Sequence, residues 1–264
     1  RSMVSSLLYS NDGNFNFELM LKVSQFPEKK YFKDFVNDFG NFNEIKESWI
    51  LAQDKINLDN QIKILKTHQG KYTVDKNSFT NDQNTLATIY IVRDPRTLIT
   101  SISNHYTLSI DGACDFLTTP QIIGNTKKWE DKETGMQCLL GKWSDHYRSW
   151  TRNKNNLLLI KYEDLIQNPE NEFKKIIYFL KKYLDIKTDD SKNKKILETT
   201  SFENLKKMEQ KGLFKENVLN KKDDSKVNFF HLGPANNWKD NLDEDVKNKI
   251  EKNFYQEMAE LEYL

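Results

Sequence analysis

A lysine and a histidine stand two residues apart in the segment Lys66-Thr67-His68. On an extended chain, residues i and i+2 point to the same side, so these two side chains would face one site. An imidazole titrates near neutrality and can take a proton from a hydroxyl, while an ammonium group can stabilise negative charge on a transferred anionic group. The pair therefore indicates group-transfer catalysis, and the alternative is a surface lysine beside a hydrogen-bonded structural histidine.

An arginine and a serine form a second candidate site, which would bind a phosphate. Arg93 directly follows the apolar run Thr88–Val92, and Ser101 lies seven residues beyond Asp94, the expected N-cap of a helix. Seven residues are about two helical turns, so Ser101 shares a helix face with the cap. A guanidinium that reaches along this face and a hydroxyl together grip a phosphate well. The alternative is an arginine paired with a local carboxylate and a serine that faces solvent.

Three further positions carry side chains suited to a nucleotide. Tyr162 closes a third apolar run, and Thr200, Ser201 and Phe202 offer two hydroxyls and an aromatic face for an adenine. Gly233 would allow the backbone to approach a phosphate closely. The alternatives are a helix cap followed by a core phenylalanine, and an ordinary turn at the glycine.

The elements that must position these residues are indicated by three apolar runs, at 62–65, Thr88–Val92 and 157–160. The runs are continuous in hydrophobicity, which is typical of strands covered on both faces in a parallel sheet. Helical patterns lie between and after them, so the sequence predicts an α/β protein, a three-layer sandwich with a central parallel sheet. Candidate site residues follow all three runs, at the strand ends where open α/β sheets bind ligands.

Helix boundaries are marked in several places. Asp94-Pro95 and Asn168-Pro169 each predict an N-cap followed by proline at the first helical position. Apolar residues at helical spacing predict a last helix over 244–261. The charged segment 206–227 is interpreted as a loop, either a lid or an ordinary solvated connection.

Two smaller features concern helix faces. Trp143, His146 and Trp150 are spaced by three and four residues, which is more typical of a core stripe than of a pocket. His105 and Tyr106 lie on the predicted helix of Ser101 and could line an acceptor pocket.

Composition excludes several classes of protein. The chain has 264 residues, and 40 Lys plus Arg against 39 Asp plus Glu give a formal net charge of +1, which argues against a nucleic-acid binder. The two cysteines form neither a disulfide framework nor a metal cluster, and they favour a cytoplasmic protein. No apolar run is long enough to span a membrane. The sequence contains no GxxxxGK[ST] or GxGxxG motif and no spacing typical of a metal site.

Taken together, these motifs resemble the cytosolic-type sulfotransferase family, whose members use 3′-phosphoadenosine 5′-phosphosulfate. The resemblance covers nearly the whole chain. It implies a P-loop-NTPase-like sulfotransferase fold and transfer of a sulfuryl group to a hydroxyl or amine of a small-molecule acceptor, with adenosine 3′,5′-bisphosphate as product. In the family's Lys-Thr-His segment the histidine is the catalytic base and the lysine contacts the sulfonate, which implies these roles for His68 and Lys66.

The same resemblance implies roles for the nucleotide-binding candidates. Arg93 and Ser101 match the pair that holds the 3′-phosphate, and Tyr162 matches a tyrosine that lies at the nucleotide. The segment Thr200-Ser201-Phe202 resembles the family's adenine-contacting Thr-Ser-Phe. Gly233 falls where a late phosphate-binding Arg-Lys-Gly motif places its glycine.

The chain departs from the family pattern at two points. A strand and a Pro-Lys-Ser-Gly-Thr-Thr-Trp-like loop that wraps the 5′-phosphosulfate should stand before Arg1, so residues 1–264 are expected to form a single sulfotransferase domain that lacks this loop and is inactive without it. His231-Leu232 stands where the family has Arg-Lys, so donor affinity is expected to be lower unless another lysine, such as Lys226, substitutes.

Two other functions are alternatives. One is a non-catalytic protein that binds adenosine bisphosphate, which both departures would fit. The other is a P-loop kinase of related fold, which would need a Walker loop upstream and Mg²⁺. The expected partner is a small-molecule acceptor rather than a nucleic acid or a membrane, and the sequence makes no prediction of the oligomeric state.

Overall fold

The regular structure of the described residues is mostly helical. The computed structural model describes residues 1–124, 136–214, 216, 218–219 and 226–264. Its helices are α1 (Ser2–Tyr9), α2 (Phe17–Leu21), α3 (Lys29–Phe32), α4 (Phe42–Glu47), α5 (Trp49–Ile56), α6 (Pro95–Tyr106), α7 (Ile110–Thr118), α8 (Trp143–Thr151), α9 (Tyr162–Gln167), α10 (Pro169–Leu180), α11 (Asp190–Thr199), α12 (Phe202–Gln210), α13 (Trp238–Asn241) and α14 (Glu244–Glu260), with a 3₁₀ turn at Gly233–Ala235. Its strands are β1 (Thr73–Val74), β2 (Asn77–Ser78), β3 (Thr88–Val92), β4 (Gln121–Ile123), β5 (Cys138–Gly141), β6 (Leu157–Lys161), β7 (Val218–Leu219) and β8 (Lys226–Val227).

Strands β3 and β6 pair with each other and confirm two of the three predicted strands. The chain is a mixed α/β protein with a central parallel sheet, as the sequence predicts. Ile91 of β3 and Leu159 of β6 are exposed, so these two strands are not covered on both faces in this structure. Short antiparallel pairs join β1 to β2, β4 to β5 and β7 to β8.

The predicted strand at 62–65 is wrong. Only the next residue, Lys66, makes a single parallel bridge, with Gln25. Residues 62–65 form no strand, and Ile62 is 44% exposed. The segment is instead a connection that ends at the Lys66 bridge.

The described residues divide into two compact units. The first unit consists of Arg1–Val23, Ile91–Thr118 and Ile160–Leu264, and the second of Ser24–Tyr90 and Thr119–Leu159. The first unit contains the apolar cluster Phe15, Phe17, Met20, Leu205 and Phe214. The second contains an aromatic-rich core of Phe26, Phe32, Val36, Ile45, Trp49, Ala52, Phe79, Met136 and Trp150. Lys66 and His68 belong to the second unit, and the other candidate site residues belong to the first.

The marked helix starts are confirmed, with one difference. Asp94 caps α6 by accepting a hydrogen bond from the backbone N–H of Arg96 at 2.9 Å, and Pro95 is the first helical residue. Helix α10 begins at Pro169, but the Asn168 side chain makes no capping bond. Asn168 also ends α9 by donating its backbone N–H to the carbonyl of Asp164. Its backbone is therefore both the C-cap of α9 and the N-cap of α10.

The predictions for the remaining helical segments have mixed outcomes. The last helix is confirmed as α14, with Val246, Ile250, Phe254 and Met258 buried. The loop expected at 206–227 is wrong in its first part, because α12 continues to residue 210 and buries Leu205 and Glu209. Residues 215, 217 and 220–225 of that segment lie outside the described residues. No helix within the described ranges is long and apolar enough to cross a membrane.

Candidate active site

Lys66 and His68 contact each other directly. The Lys66 Nζ lies 2.5 Å from the His68 Nε2 and 3.2 Å from the Gln25 Oε1. An ammonium group has only hydrogens to donate, so the Nε2 of His68 must be the acceptor and the ring proton must be on Nδ1. The two side chains therefore lie on the same side of the chain, as their spacing predicts, and the role of His68 as a general base stays a prediction.

The backbone around this pair is held by short contacts within the second unit. The backbone N–H of Lys66 donates to Ser24 at 2.8 Å, and the Lys66 carbonyl accepts from Phe26 at 2.8 Å. The Thr67 hydroxyl accepts from the backbone N–H of Gln69 at 3.0 Å. The His68 side chain is exposed, so its imidazole is accessible to an acceptor molecule.

Arg93 and Ser101 are joined as the helix spacing predicts. The Arg93 Nη1 donates to the Ser101 Oγ at 3.1 Å, and Nε donates to the Thr97 Oγ1 at 3.0 Å. The guanidinium lies over the Tyr162 ring, 4.5 Å from its centroid. Arg93 and Tyr162 follow the neighbouring parallel strands β3 and β6, so their side chains emerge at the same sheet edge. Sequence reasoning missed Thr97, although it stands on the face of Ser101 one turn earlier.

The electrostatics of this cluster favour an anion. Burial lowers the pKa of Arg93 from its ordinary value, but an arginine remains a cation in a protein. Burial also raises the pKa of Tyr162, which keeps the phenol neutral. Within the described part of the chain, Arg93 contacts hydroxyls and a ring and forms no ion pair. A direct ion pair with a local carboxylate is therefore not observed, although the nearby charges of Glu163 and Asp94 oppose the lowering of the Arg93 pKa.

A partly buried network supports the start of α6 beside this cluster. Glu163 accepts from the backbone N–H of Asp94 at 3.1 Å and from the Tyr263 hydroxyl at 3.0 Å. Arg96 donates to Asp94, to Glu251 and to the Tyr263 carbonyl, and its guanidinium lies 4.2 Å from the centroid of the Trp238 ring. These contacts join α6, α9 and the C-terminal residues in the first unit.

The segment Thr200-Ser201-Phe202 begins a helix. The Thr200 hydroxyl donates to the Ile196 carbonyl at 2.7 Å, and the Ser201 Oγ caps α12 by accepting from Asn204. These are the bonds of the helix-cap alternative, and each hydroxyl oxygen keeps a lone pair for a further donor. The Phe202 ring is half-buried. Contact of these residues with an adenine stays a prediction.

Gly233 has a left-handed backbone and packs against Phe202. Its φ is +56°, and a Cβ placed there would lie 2.3 Å from the Phe202 ring. The following turn is fastened to α6 by Asn236, whose Oδ1 accepts from Thr100 at 2.9 Å and whose Nδ2 donates to the Thr97 carbonyl at 2.8 Å. Sequence reasoning missed this role for Asn236, because the contact joins residues far apart in the chain.

A lysine that sequence reasoning did not select lies at the same turn. The Lys206 Nζ donates to the His231 carbonyl at 3.0 Å, and it lies 5.7 Å from the centroid of the Phe202 ring. Lys226, considered above as a substitute cation, lies in β8 and is exposed. Its proposed role stays a prediction.

Gly233→Ala should destabilise the protein more than Gly212→Ala. Both glycines have positive φ, but a Cβ at Gly212 would meet nothing within 4 Å. The Gly212 variant therefore carries only the cost of a left-handed alanine, about 1 kcal/mol, whereas the Gly233 variant must also displace the Phe202 ring. Thermal unfolding of the two variants measures the difference. Equal losses of stability in the two variants would show that the Phe202 ring adds no cost to a Cβ at position 233.

Comparison with known proteins identifies the family. The sulfotransferase domain model matches residues 22–262. Rat sulfotransferase 1C2 is 26% identical over 213 residues, which cover 78% of this chain and 65% of the rat protein, so the match spans less than two thirds of that relative. Mouse sulfotransferase SULT7A1 in complex with PAP has a TM-score of 0.52 at 23% identity, covering 77% of this chain and 69% of the mouse chain. Retinol dehydratase in complex with androsterone and PAP has a TM-score of 0.59 at 16% identity, covering 97% of this chain and 77% of its own. The match over most of its length shows that this chain belongs to the sulfotransferase domain family.

Proposed function

We propose that the protein transfers a sulfuryl group from 3′-phosphoadenosine 5′-phosphosulfate to a hydroxyl or amine of a small-molecule acceptor and releases adenosine 3′,5′-bisphosphate. Family membership supports the class of reaction. The observation that carries the proposal is the Lys66–His68 contact, in which the His68 Nε2 accepts and is therefore unprotonated.

In the proposed step, the acceptor oxygen attacks the sulfur and its proton passes to the His68 Nε2. The bond between the sulfur and the bridging phosphate oxygen breaks, and the bisphosphate leaves with the electron pair. Lys66 must release Nε2 when the acceptor binds, which frees its ammonium to stabilise the sulfonate oxygens. The remaining rate enhancement comes from positioning of the two reactants.

Nucleotide binding is assigned to the cluster around Arg93. Its cationic guanidinium and the hydroxyls of Thr97 and Ser101 suit the 3′-phosphate. Tyr162 would contact the nucleotide, Thr200, Ser201 and Phe202 the adenine, and Gly233 a phosphate. We further propose that residues 1–264 belong to one sulfotransferase domain in a cytoplasmic protein, which the two buried free cysteines Cys114 and Cys138 support.

The direct test is a transfer assay. The full-length protein, with any residues its gene encodes before Arg1, is incubated with the labelled donor and a panel of phenols, alcohols, amines and sugars. Formation of a sulfated acceptor together with adenosine 3′,5′-bisphosphate is the expected result. Sequencing of the coding DNA upstream of Arg1 tests the expected Pro-Lys-Ser-Gly-Thr-Thr-Trp-like loop, whereas a GxxxxGK[ST] loop would favour a kinase.

One observation favours a second candidate, a non-catalytic protein that binds adenosine bisphosphate. His231-Leu232 supplies no permanent cation where the family has Arg-Lys. Binding of the bisphosphate without transfer to any acceptor, by a full-length protein that contains the upstream loop, would support this candidate over the enzyme.

Arg93→Met should weaken binding of adenosine 3′,5′-bisphosphate by about 10- to 100-fold, the loss expected for a charge-assisted contact. Isothermal titration calorimetry measures this. Adenosine 5′-monophosphate, which lacks the 3′-phosphate, is the matched ligand and should lose little affinity in the same variant. Equal losses for both nucleotides would contradict the assignment of Arg93 to the 3′-phosphate.

A further inference from the structure

His146, on α8, joins two residues of the second unit through its ring nitrogens. Its Nε2 lies 3.2 Å from the His68 carbonyl oxygen, and its Nδ1 lies 2.9 Å from the Tyr90 hydroxyl. A carbonyl oxygen only accepts, so Nε2 carries a proton and donates it to His68. In the neutral ring Nδ1 is then an acceptor, and the Tyr90 hydroxyl is its donor.

The surroundings keep this proton arrangement. Burial lowers the pKa of His146, although its bond to His68 opposes the shift, and burial raises the pKa of Tyr90. The imidazole therefore stays neutral and the phenol keeps its hydrogen. The two rings also pack together with centroids 5.7 Å apart, and Tyr147 packs against Tyr90 from the same helix. The ring of His146 thus has a fixed tautomer and a fixed orientation.

Helix α8 holds two successive carbonyls of the His68 segment. Trp150 donates its Nε1–H to the Gln69 carbonyl at 3.1 Å, next to the bond from His146 to His68. Residues four apart lie on one helix face, so the two donors act from the same side. Within the described residues, the His68 segment forms no strand: Lys66 makes one β-bridge, and the backbone N–H of Gly70 donates to the Leu139 carbonyl at 3.0 Å. Between these two contacts, the carbonyl of the candidate base itself is bonded to α8.

We propose that His146, oriented by Tyr90, is a positioning residue that holds the His68 backbone so that its imidazole points at the acceptor hydroxyl. The proposal rests on the proposed function, because it takes His68 as the base. A misplacement of about 1 Å at a reacting group can cost about 100-fold in rate. Loss of the single bond from His146 to the peptide of the base can therefore lower turnover, although His146 itself does not contact the substrate.

The first test compares His146→Phe with His146→Gln. Phenylalanine keeps a ring of similar size but makes neither hydrogen bond, whereas the glutamine amide can donate to the His68 carbonyl and accept from Tyr90. We expect His146→Phe to lower kcat by about 10- to 100-fold with acceptor KM and bisphosphate affinity within about threefold, and His146→Gln to recover most of the loss. Tyr90→Phe should give a smaller loss. Arg152→Met is the control, because Arg152 is the C-cap of the same helix and its side chain is exposed.

A double variant separates positioning from a general structural role. In a His68→Ala background the base is absent, so His146→Phe should cause no further loss of residual turnover. An additional loss of tenfold or more, or failure of glutamine to restore kcat, would overturn the proposal.

Nitrogen NMR of the imidazoles gives a readout that does not require activity. His146 should show a neutral ring with the proton on Nε2, and the His68 ring signals should shift in His146→Phe but not in Arg152→Met. Absence of sulfuryl transfer by the wild-type protein would contradict the proposed function. Unchanged His68 signals in His146→Phe would contradict the positioning role separately.

Discussion

Replacing His68 with alanine should lower kcat for sulfuryl transfer by about 10²- to 10⁴-fold, the range for loss of a general base. The reason is that the group proposed to accept the proton, as the acceptor oxygen attacks sulfur, is then absent. The Kd for adenosine 3′,5′-bisphosphate should change by no more than about twofold, because the nucleotide is assigned to residues of the first unit. Steady-state kinetics with saturating donor and calorimetry of bisphosphate binding measure the two effects.

The control for this variant is Lys63→Met. Lys63 stands in the same segment, and its Nζ donates to the Ile56 carbonyl at 2.8 Å rather than to His68. The Lys63→Met variant should retain kcat within about twofold. The Lys66→Met variant, like His68→Ala, should lose turnover. Full turnover by His68→Ala would remove His68 from the mechanism, and equal losses in Lys63→Met would indicate an effect on folding of the segment.

Arg96→Met should lower the free energy of unfolding by about 3–5 kcal/mol, the usual cost of removing one partner of a buried ion pair. The side chains of Arg96 and Asp94 are only 8% and 7% exposed, and their N–O distance is 2.7 Å. Methionine fills similar space but leaves the Asp94 carboxylate uncompensated and removes the bonds to Glu251 and the Tyr263 carbonyl. Urea denaturation followed by tryptophan fluorescence measures the loss.

Arg152→Met is the matched control for this loss. Arg152 is exposed, so the same change of side chain should alter stability by less than about 0.5 kcal/mol. A loss below about 1 kcal/mol in Arg96→Met would mean that the network around Arg96 is worth no more than a surface ion pair. The start of α6 would then depend mainly on the Asp94 cap.

Local signals in the sequence were sufficient for much of the first unit's candidate site. Two apolar runs predict β3 and β6, and Asp94-Pro95 predicts the start of α6. The position of Ser101 follows from helical periodicity, and its bond to Arg93 confirms the inference. Each of these predictions depends on residues within about three turns of one another, where backbone geometry alone sets the spacing.

Predictions that needed knowledge of burial were less successful. The apolar residues at 62–65 suggested a strand, but coverage of a segment depends on distant parts of the chain. Thr200 and Ser201 make the hydrogen bonds expected of residues at helix ends. The residue types of this segment alone could not distinguish such a helix cap from an adenine site. The segment 206–210 is helical because Leu205 and Glu209 are buried by tertiary packing.

By itself, the sequence determined the residue types that can transfer a group and bind a phosphate, the strands and helices beside them, and the resemblance to sulfotransferases that the family match confirms. Only the tertiary structure decided how those side chains are oriented and protonated. The Nε2 of His68 is identified as an acceptor by Lys66, and the tautomer of His146 is decided by contacts 56 and 78 residues away. A hydrogen bond depends on distance and direction in space, which residue types and spacing do not specify for positions so far apart.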